Sequence, residues 1–357
     1  MNKNGTKLDQ YCHISSGGTP SRRQDTFYGG DILWSTIADM EKSDGIVVDT
    51  KEKITSEGLA SIGNRIFAKD TLLLAMYGSV GKVAIAGKKM ATNQAILGIT
   101  PKNEKEIYIS YLKYWLMVNK RKIVNKARGG ILKNLSAKIV ENLKINLPLY
   151  DDQIKIANLL TQVETLVAKR EESIGLLDEL LKSTFLDMFG DPITNPQNRE
   201  KVRLDDIVVL QRGFDLPKSD RNIEGKIPLY GSNGIVDFHD EAKFEEGIIT
   251  GRSGTIGKVY YSHKPFWPLN TTLFSKDIKG NNIIYLTFLL RFFRLERFHQ
   301  GAGVPTLNRN NVHKEKIYKV DRNEQDEFAT IVKQIEATKA YYQDSLDVQK
   351  THQTGHS

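Results

Sequence analysis

The sequence predicts an α+β protein. It reads as two copies of one strand-rich α/β domain with short helices, related by a pseudo-twofold and separated by a pair of long antiparallel, coiled-coil-like helices. Three observations predict it: an ordered internal repeat, short β-type runs between turn residues, and two heptad-spaced apolar stripes. At 357 residues the chain is long enough for two or three domains with their own cores.

The repeat is carried by several matches kept in order. GSVGKV starts at Gly78 and GTIGKV at Gly254, 176 residues later, a domain-sized interval rather than a solenoid period. Leu8-Asp9 and Gly17 match Leu204-Asp205 and Gly213. TNQAIL (92–97) lies against LNTTLF (269–274), which places Asn93 against Asn270, and Tyr111-Leu112 matches Tyr285-Leu286. Glycine-bearing polar loops follow, ARGGILKNLS (127–136) and GAGVPTLNRN (301–310). QIKIANLLTQVE (153–164) then aligns without a gap on QDEFATIVKQIE (325–336).

Each copy opens with strand signals. DILWSTI, TLLLAMY, KVAIAG and AILGIT in the first copy, and IVVLQRG, GIITG, KVYYS and TTLFSK in the second, are short β-branched or aromatic runs between Gly, Asn and Asp turns. Shorter helices are expected near 108–126 and 283–299. Trp34, Tyr77 and Trp267 are assigned to cores.

A long helix closes each copy. Ile156, Leu160, Val163, Val167, Ile174, Leu177, Leu181 and Met188 recur in steps of 4 and 3, with Arg170 as a polar interruption. This is an a/d seam over a helix roughly 50 Å long. It stops at FGDP, where Gly190 suits the position after the C-cap and Pro192 forbids continuation. Phe328, Val332, Ile335, Tyr342 and Leu346 repeat the phase, with Lys339 as the polar member. A seam this narrow needs a helical partner, either the other copy's helix or, as the alternative, a second chain. The expected divisions are a domain over 1–147, a helix over 148–190, a domain over 191–320, a helix over 321–350 and a polar tail over 351–357.

Charge follows these divisions. Residues 1–147 carry 23 Lys/Arg against 13 Asp/Glu, a net of +10, and 191–320 carry 20 against 15, a net of +5. The helical segments 148–190 and 321–357 are net −4 and −3. Basic domains suit a polyanion and acidic helices do not. No apolar run approaches the ~20 residues of a membrane span, and the start lacks the apolar core of a signal peptide. The single Cys12 excludes an internal disulfide and a cysteine-built metal site, so the expected location is the cytoplasm.

Catalytic signals are missing. The Gly-Lys motif has no phosphate-loop spacing, and His13, His239, His263, His299, His313, His352 and His356 show no ligand spacing. No nucleophile with paired carboxylates appears in both copies, so a binding protein without metal or cofactor of its own is expected.

The chain resembles the specificity subunits of type I restriction-modification systems. The likeness lies in SSGGTPSRRQDTFYGGDILWSTIADM (15–40), GSVGKVAIA (78–86), TNQAI (92–96), LKINLPLYDDQIKIANLL (143–160) and LLKSTFLDMFGDP (180–192). The family's Pro-Pro and Glu-Gln pair reads LPLYDDQ here, and the second copy has RGFDLPKSD (212–220) in place of Gly-Gly-Thr-Pro. The resemblance implies two target recognition domains, each reading half of a bipartite, asymmetric double-stranded DNA target. It implies a helix pair that sets the spacer and docks two methyltransferase (modification) subunits carrying S-adenosylmethionine. Restriction/translocase subunits using ATP with Mg2+ would join them. Two rival classes are a fused DNA methyltransferase or nuclease, and a basic coiled-coil nucleic-acid-binding scaffold.

Phosphate contacts position a protein on DNA and base-edge contacts specify, so basic and amide side chains on loops are the candidates. In the first domain these are Arg22, Arg23, Lys82, Asn93, Arg128, Lys133, Asn134 and Ser136. In the second they are Arg212, Lys218, Arg252, Lys258, Asn270, Thr306, Asn308, Arg309 and Asn310. Lys82 and Lys258 read as strand residues.

Overall fold

The computed structural model describes residues 5–127, 135–300 and 305–354. The chain divides into two compact units, Met1–Leu166 and Val167–Ser357. The division falls inside the first long helix, Tyr150–Phe189.

In unit 1 the strands are β1 (Thr6–Lys7), β2 (Cys12–Ser16), β3 (Tyr28–Ser35), β4 (Ile46–Val47), β5 (Glu52–Ile54), β6 (Leu72–Ala75), β7 (Val83–Ala86), β8 (Ala91–Thr92), β9 (Ile96–Pro101) and β10 (Lys144–Ile145). They form the sheets β2-β9-β6-β7-β4 and β5-β3-β8 and the pair β1-β10. Every residue of β6, Leu-Leu-Leu-Ala, is buried, as a short continuous apolar run between turns predicts for a fully covered strand.

Unit 2 repeats this plan. Its strands are β11 (Lys201–Arg203), β12 (Val209–Arg212), β13 (Ile227–Gly231), β14 (Gly234–His239), β15 (Gly247–Gly251), β16 (Val259–Ser262), β17 (Trp267–Pro268), β18 (Thr272–Asp277), β19 (His299–Gln300), β20 (Thr306–Leu307) and β21 (Lys316–Tyr318). The sheets β12-β18-β15-β16 and β14-β13-β17 and the pair β11-β21 take the places of their unit 1 counterparts. The parallel pairing is copied too, β3 with β8 and β13 with β17. Unit 2 adds the short pair β19-β20. The register fixes the offset between copies: Ala75 faces Ile96, and Gly251 faces Thr272, 176 residues further on in both strands. This corrects the pairing of the two asparagines. The residue equivalent to Asn270 is Gln94, and Asn93 corresponds to Leu269.

One helix in each unit, Ile109–Val118 and Ile283–Phe292, is pinned to a long helix by a buried glutamine. Gln153 Oε1 accepts from the Tyr108 N–H at 2.9 Å, while its Nε2 donates to the carbonyls of Glu106 and Pro148. Gln325 Oε1 accepts from the Asn282 N–H at 2.7 Å, and its Nε2 donates to Asn281 Oδ1 and the Val320 carbonyl.

Within unit 1 this clamp sets which face of the long helix turns inward. Ala157, four residues beyond Gln153, is buried, and Ile156 is 40% exposed. The placement of Ile156 in the seam is therefore corrected. Leu160 and Val163 are half-buried. Beside them Tyr114 Oη donates to Glu164 at 2.7 Å, Lys113 pairs with the same carboxylate at 3.0 Å, and burial pushes the Tyr114 hydroxyl up to about 12.

Within unit 2, the rest of that helix packs antiparallel on the second long helix, Arg322–Thr354: Phe185 meets Phe328, and Asp178 meets Lys339 at 2.6 Å. Leu181, Phe328, Val332, Ile335 and Leu346 are buried, while Val167, Ile174, Leu177 and Tyr342 are half-buried. Phe185 and Phe189, both fully buried, join the core although the 4-and-3 spacing omits them. They also face the Ile283–Phe292 helix, with Phe185 stacked 4.7 Å from Phe292, so the buried arc here is wider than a two-helix seam. The helix ends at Gly190, at φ +75°. No helix among the described residues is long and apolar enough to cross a membrane.

Candidate nucleic-acid interface

The Gly-Ser/Thr-Val/Ile-Gly-Lys repeat is a turn. Gly78 and Gly81 in unit 1, and Gly254 and Gly257 in unit 2, all have φ between +63° and +92°, a region open chiefly to glycine. Lys82 and Lys258 lie in the turn just before β7 and β16, which corrects their assignment to strands. Lys82 is half-buried and Lys258 is exposed.

In unit 2 this turn is stitched to the loop that carries most of the candidate residues. Gly254 N–H donates to the Pro305 carbonyl at 3.0 Å, Leu307 N–H donates to the Arg252 carbonyl at 2.8 Å, and Ser253 bridges Thr306. In unit 1 Leu135 N–H donates to the Met76 carbonyl at 3.2 Å, the equivalent bond. Beyond it a five-residue helix starts in each unit, capped by Ser136 Oγ accepting from Ile139 N–H and by Asn308 Oδ1 accepting from Asn310 N–H.

These ties build a cleft of about 420 Å³ in unit 2, lined by Arg212, Arg252, Gln300, Thr306, Asn308, Arg309 and Asn310 above an apolar floor of Leu273 and Leu307. Six of the nine residues expected in the second domain meet here. Three guanidiniums and three amides line it with no carboxylate among them, the chemistry that grips phosphate and reads purine edges. Gln300 is the lining residue that sequence reasoning missed. It sits one position before the glycine loop, and neither periodicity nor motif distinguishes it.

The other candidates are elsewhere. Lys218 is exposed on the short turn Lys218–Asp220, outside the cleft. Asn270 lies beside the cleft, donating from Nδ2 to Asp215 and accepting at its carbonyl from Arg252 Nη1 at 3.5 Å. In unit 1 Arg22 is held by Glu52 at 2.7 Å and sits 4.5 Å from the Tyr28 ring, and the hydrogen bond to Glu52 pushes its pKa up. Arg23 beside it is exposed. Asn93 spends Oδ1 on the Ala95 N–H at 3.1 Å, a turn-stabilising bond. Trp34 and Trp267 are buried, whereas Tyr77 is 38% exposed at the edge of the glycine turn and leaves the core. Arg128, Lys133 and Asn134 lie outside the described residues. Among the described residues no group of three or more His, Cys, Asp or Glu could hold a metal ion.

Comparison with known proteins agrees with this organisation. The specificity subunit of the type I restriction enzyme MjaIX of Methanocaldococcus jannaschii is 28% identical over 243 residues, 62% of this chain and 56% of that protein. That of the HindI enzyme of Haemophilus influenzae is 25% identical over 142 residues, 40% of this chain and 31% of that protein. The chain thus spans about a third to just over half the length of these curated relatives. Its fold is shared with the crystal structure of the type I restriction-modification S subunit from M. genitalium, at a TM-score of 0.66 and 17% identity, covering 99% of this chain and 96% of that one. A chain from a structure addressing complex assembly and conformational transition of the type I R-M system matches at a TM-score of 0.63 and 14% identity, covering 98% and 95%. The family model for the type I restriction modification DNA specificity domain matches residues 3–176 and 196–346, most of the chain, and the protein belongs to that family.

Proposed function

We propose that this chain is the DNA-reading subunit of a type I restriction-modification complex, working in the cytoplasm without catalysis of its own. Each unit reads one half of a bipartite, asymmetric target on double-stranded DNA, and the long helices set the spacer. The helices' acidic surface docks two modification subunits, which supply S-adenosylmethionine and adenine methylation. Restriction subunits with ATP and Mg2+ complete the complex. The observation that carries this reading is the unit 2 cleft, where arginines and amides from separate loops converge on a domain plan that unit 1 repeats.

The test is co-expression with a type I modification subunit, followed by long-read mapping of adenine methylation. A split motif that requires this chain, and that disappears with Arg252→Ala plus Arg309→Ala, is the expected result. The same motif in the chain's absence, or an unchanged motif with the double variant, would overturn the reading.

A further inference from the structure

Both units carry the same clasp at the loop after their first sheet strand. In unit 1, Gly17 N–H donates to the Ile96 carbonyl and Gly18 N–H to the Thr92 carbonyl. In unit 2, Gly213 N–H donates to the Thr272 carbonyl and Phe214 N–H to the Pro268 carbonyl. A Cβ on Gly213 would meet the Leu269 carbonyl at 2.3 Å, so only glycine lets the strands approach this closely. The clasp brings one side-chain pair together at equivalent positions: Thr19 donates to Gln94, and Asn270 donates to Asp215.

The backbone is copied and the chemistry is not. Unit 1 holds a hydroxyl and an amide there, unit 2 a carboxylate and an amide. Asp215 also accepts from Arg212 Nη2 at 3.2 and 3.3 Å, and Arg212 lines the cleft. The unit 1 position equivalent to Arg212 is Ser16, so this arrangement belongs to unit 2 alone.

A carboxylate beside a cleft built for a polyanion repels phosphate. The Arg212–Asp215 side chains are 49% and 66% exposed, and such a pair adds little to stability. What the pair does is restrict Arg212. The carboxylate engages one nitrogen of the guanidinium, and the planar fork keeps further donors for a pair of acceptors on a base edge.

We propose that Asp215 is a positioning residue that aims Arg212 at a guanine in the half-site read by unit 2. This rests on the DNA-reading function proposed above.

The test uses the complex with its modification subunits and a DNA library randomised in each half-site in turn. Arg212→Ala is expected to relax one base pair of one half-site by about tenfold or more and to leave the other half-site intact. Asp215→Ala should relax the same base pair without weakening non-specific binding, because it removes a negative charge. The double variant should discriminate no worse than Arg212→Ala, since Asp215 acts through the arginine. Asp215→Asn, which keeps an acceptor, should recover part of the discrimination. Additive losses would make Asp215 a direct reader and overturn the positioning role, as would an unchanged motif with Asp215→Ala. Either result leaves the reading function standing when Arg252→Ala plus Arg309→Ala still abolishes the motif. If that control also leaves the motif unchanged, the reading function itself fails.

Discussion

Gln325 shows how much one side chain decides in this protein. It is 1% exposed and satisfies an N–H, a carbonyl and an amide oxygen from three other residues, as Gln153 satisfies one N–H and two carbonyls in unit 1. Leucine has nearly its shape and none of its hydrogen bonds, so Gln325→Leu strands those groups in the core. The expected cost is about 3 kcal/mol or more, at about 1–3 kcal/mol for each unsatisfied buried group, read as a lower urea midpoint. His313 makes a prediction of a different kind. Its Nε2 accepts from the Leu210 N–H at 2.9 Å, which only a neutral ring can do. Burial lowers its pKa below 6.5, with Asp205 partly opposing and Arg309 and Arg203 assisting. A folded value below the unfolded one means that the contribution is complete above the unfolded pKa and is lost as pH falls through the folded pKa. Melting temperature should therefore fall as pH drops below about 6.5, the unfolded value, and His313→Gln, which keeps an acceptor, should flatten that decline. Neither role was legible from composition, although the repeat did place both glutamines in one register.

At the scale of elements, the long helices were the most legible feature, because a heptad pattern is local and the burial it predicts repeats every few residues. Its two ends departed from the pattern for one reason: elements other than the partner helix also pack there. At the start, the Gln153 clamp turns Ala157 inward and leaves Ile156 exposed. Toward the end, the Ile283–Phe292 helix widens the buried arc to take in Phe185 and Phe189. The polar member Lys339 stays in register by pairing with Asp178 and Glu336. If the helices set the DNA spacer, inserting one heptad in each at the level of the Asp178–Lys339 pair adds roughly 10 Å of helix. The methylated motif should then keep both half-sites and gain about three unspecified base pairs, at about 3.4 Å per pair. A change in the half-sites themselves would show that the helices do more than space.

At the scale of the whole molecule, the two-copy plan was readable because a duplicated domain leaves matches in order even where each match is weak. Glycine was the strongest of these signals. Gly81 and Gly257 recur because a positive φ leaves few alternatives, and Gly17 and Gly213 because a Cβ would strike a carbonyl oxygen. The sequence by itself therefore determined the repeated strands, the two long helices and the separation of basic domains from acidic helices. All three follow from local backbone limits, apolar periodicity or counted charge. Only the tertiary structure decided that Arg212, Arg252 and Arg309 line one cleft, that Asp215 stands beside it, and that Asn270 answers to Gln94 rather than Asn93. Those relations depend on hydrogen bonds between separate strands and loops, and no local pattern in a chain encodes which of them will touch.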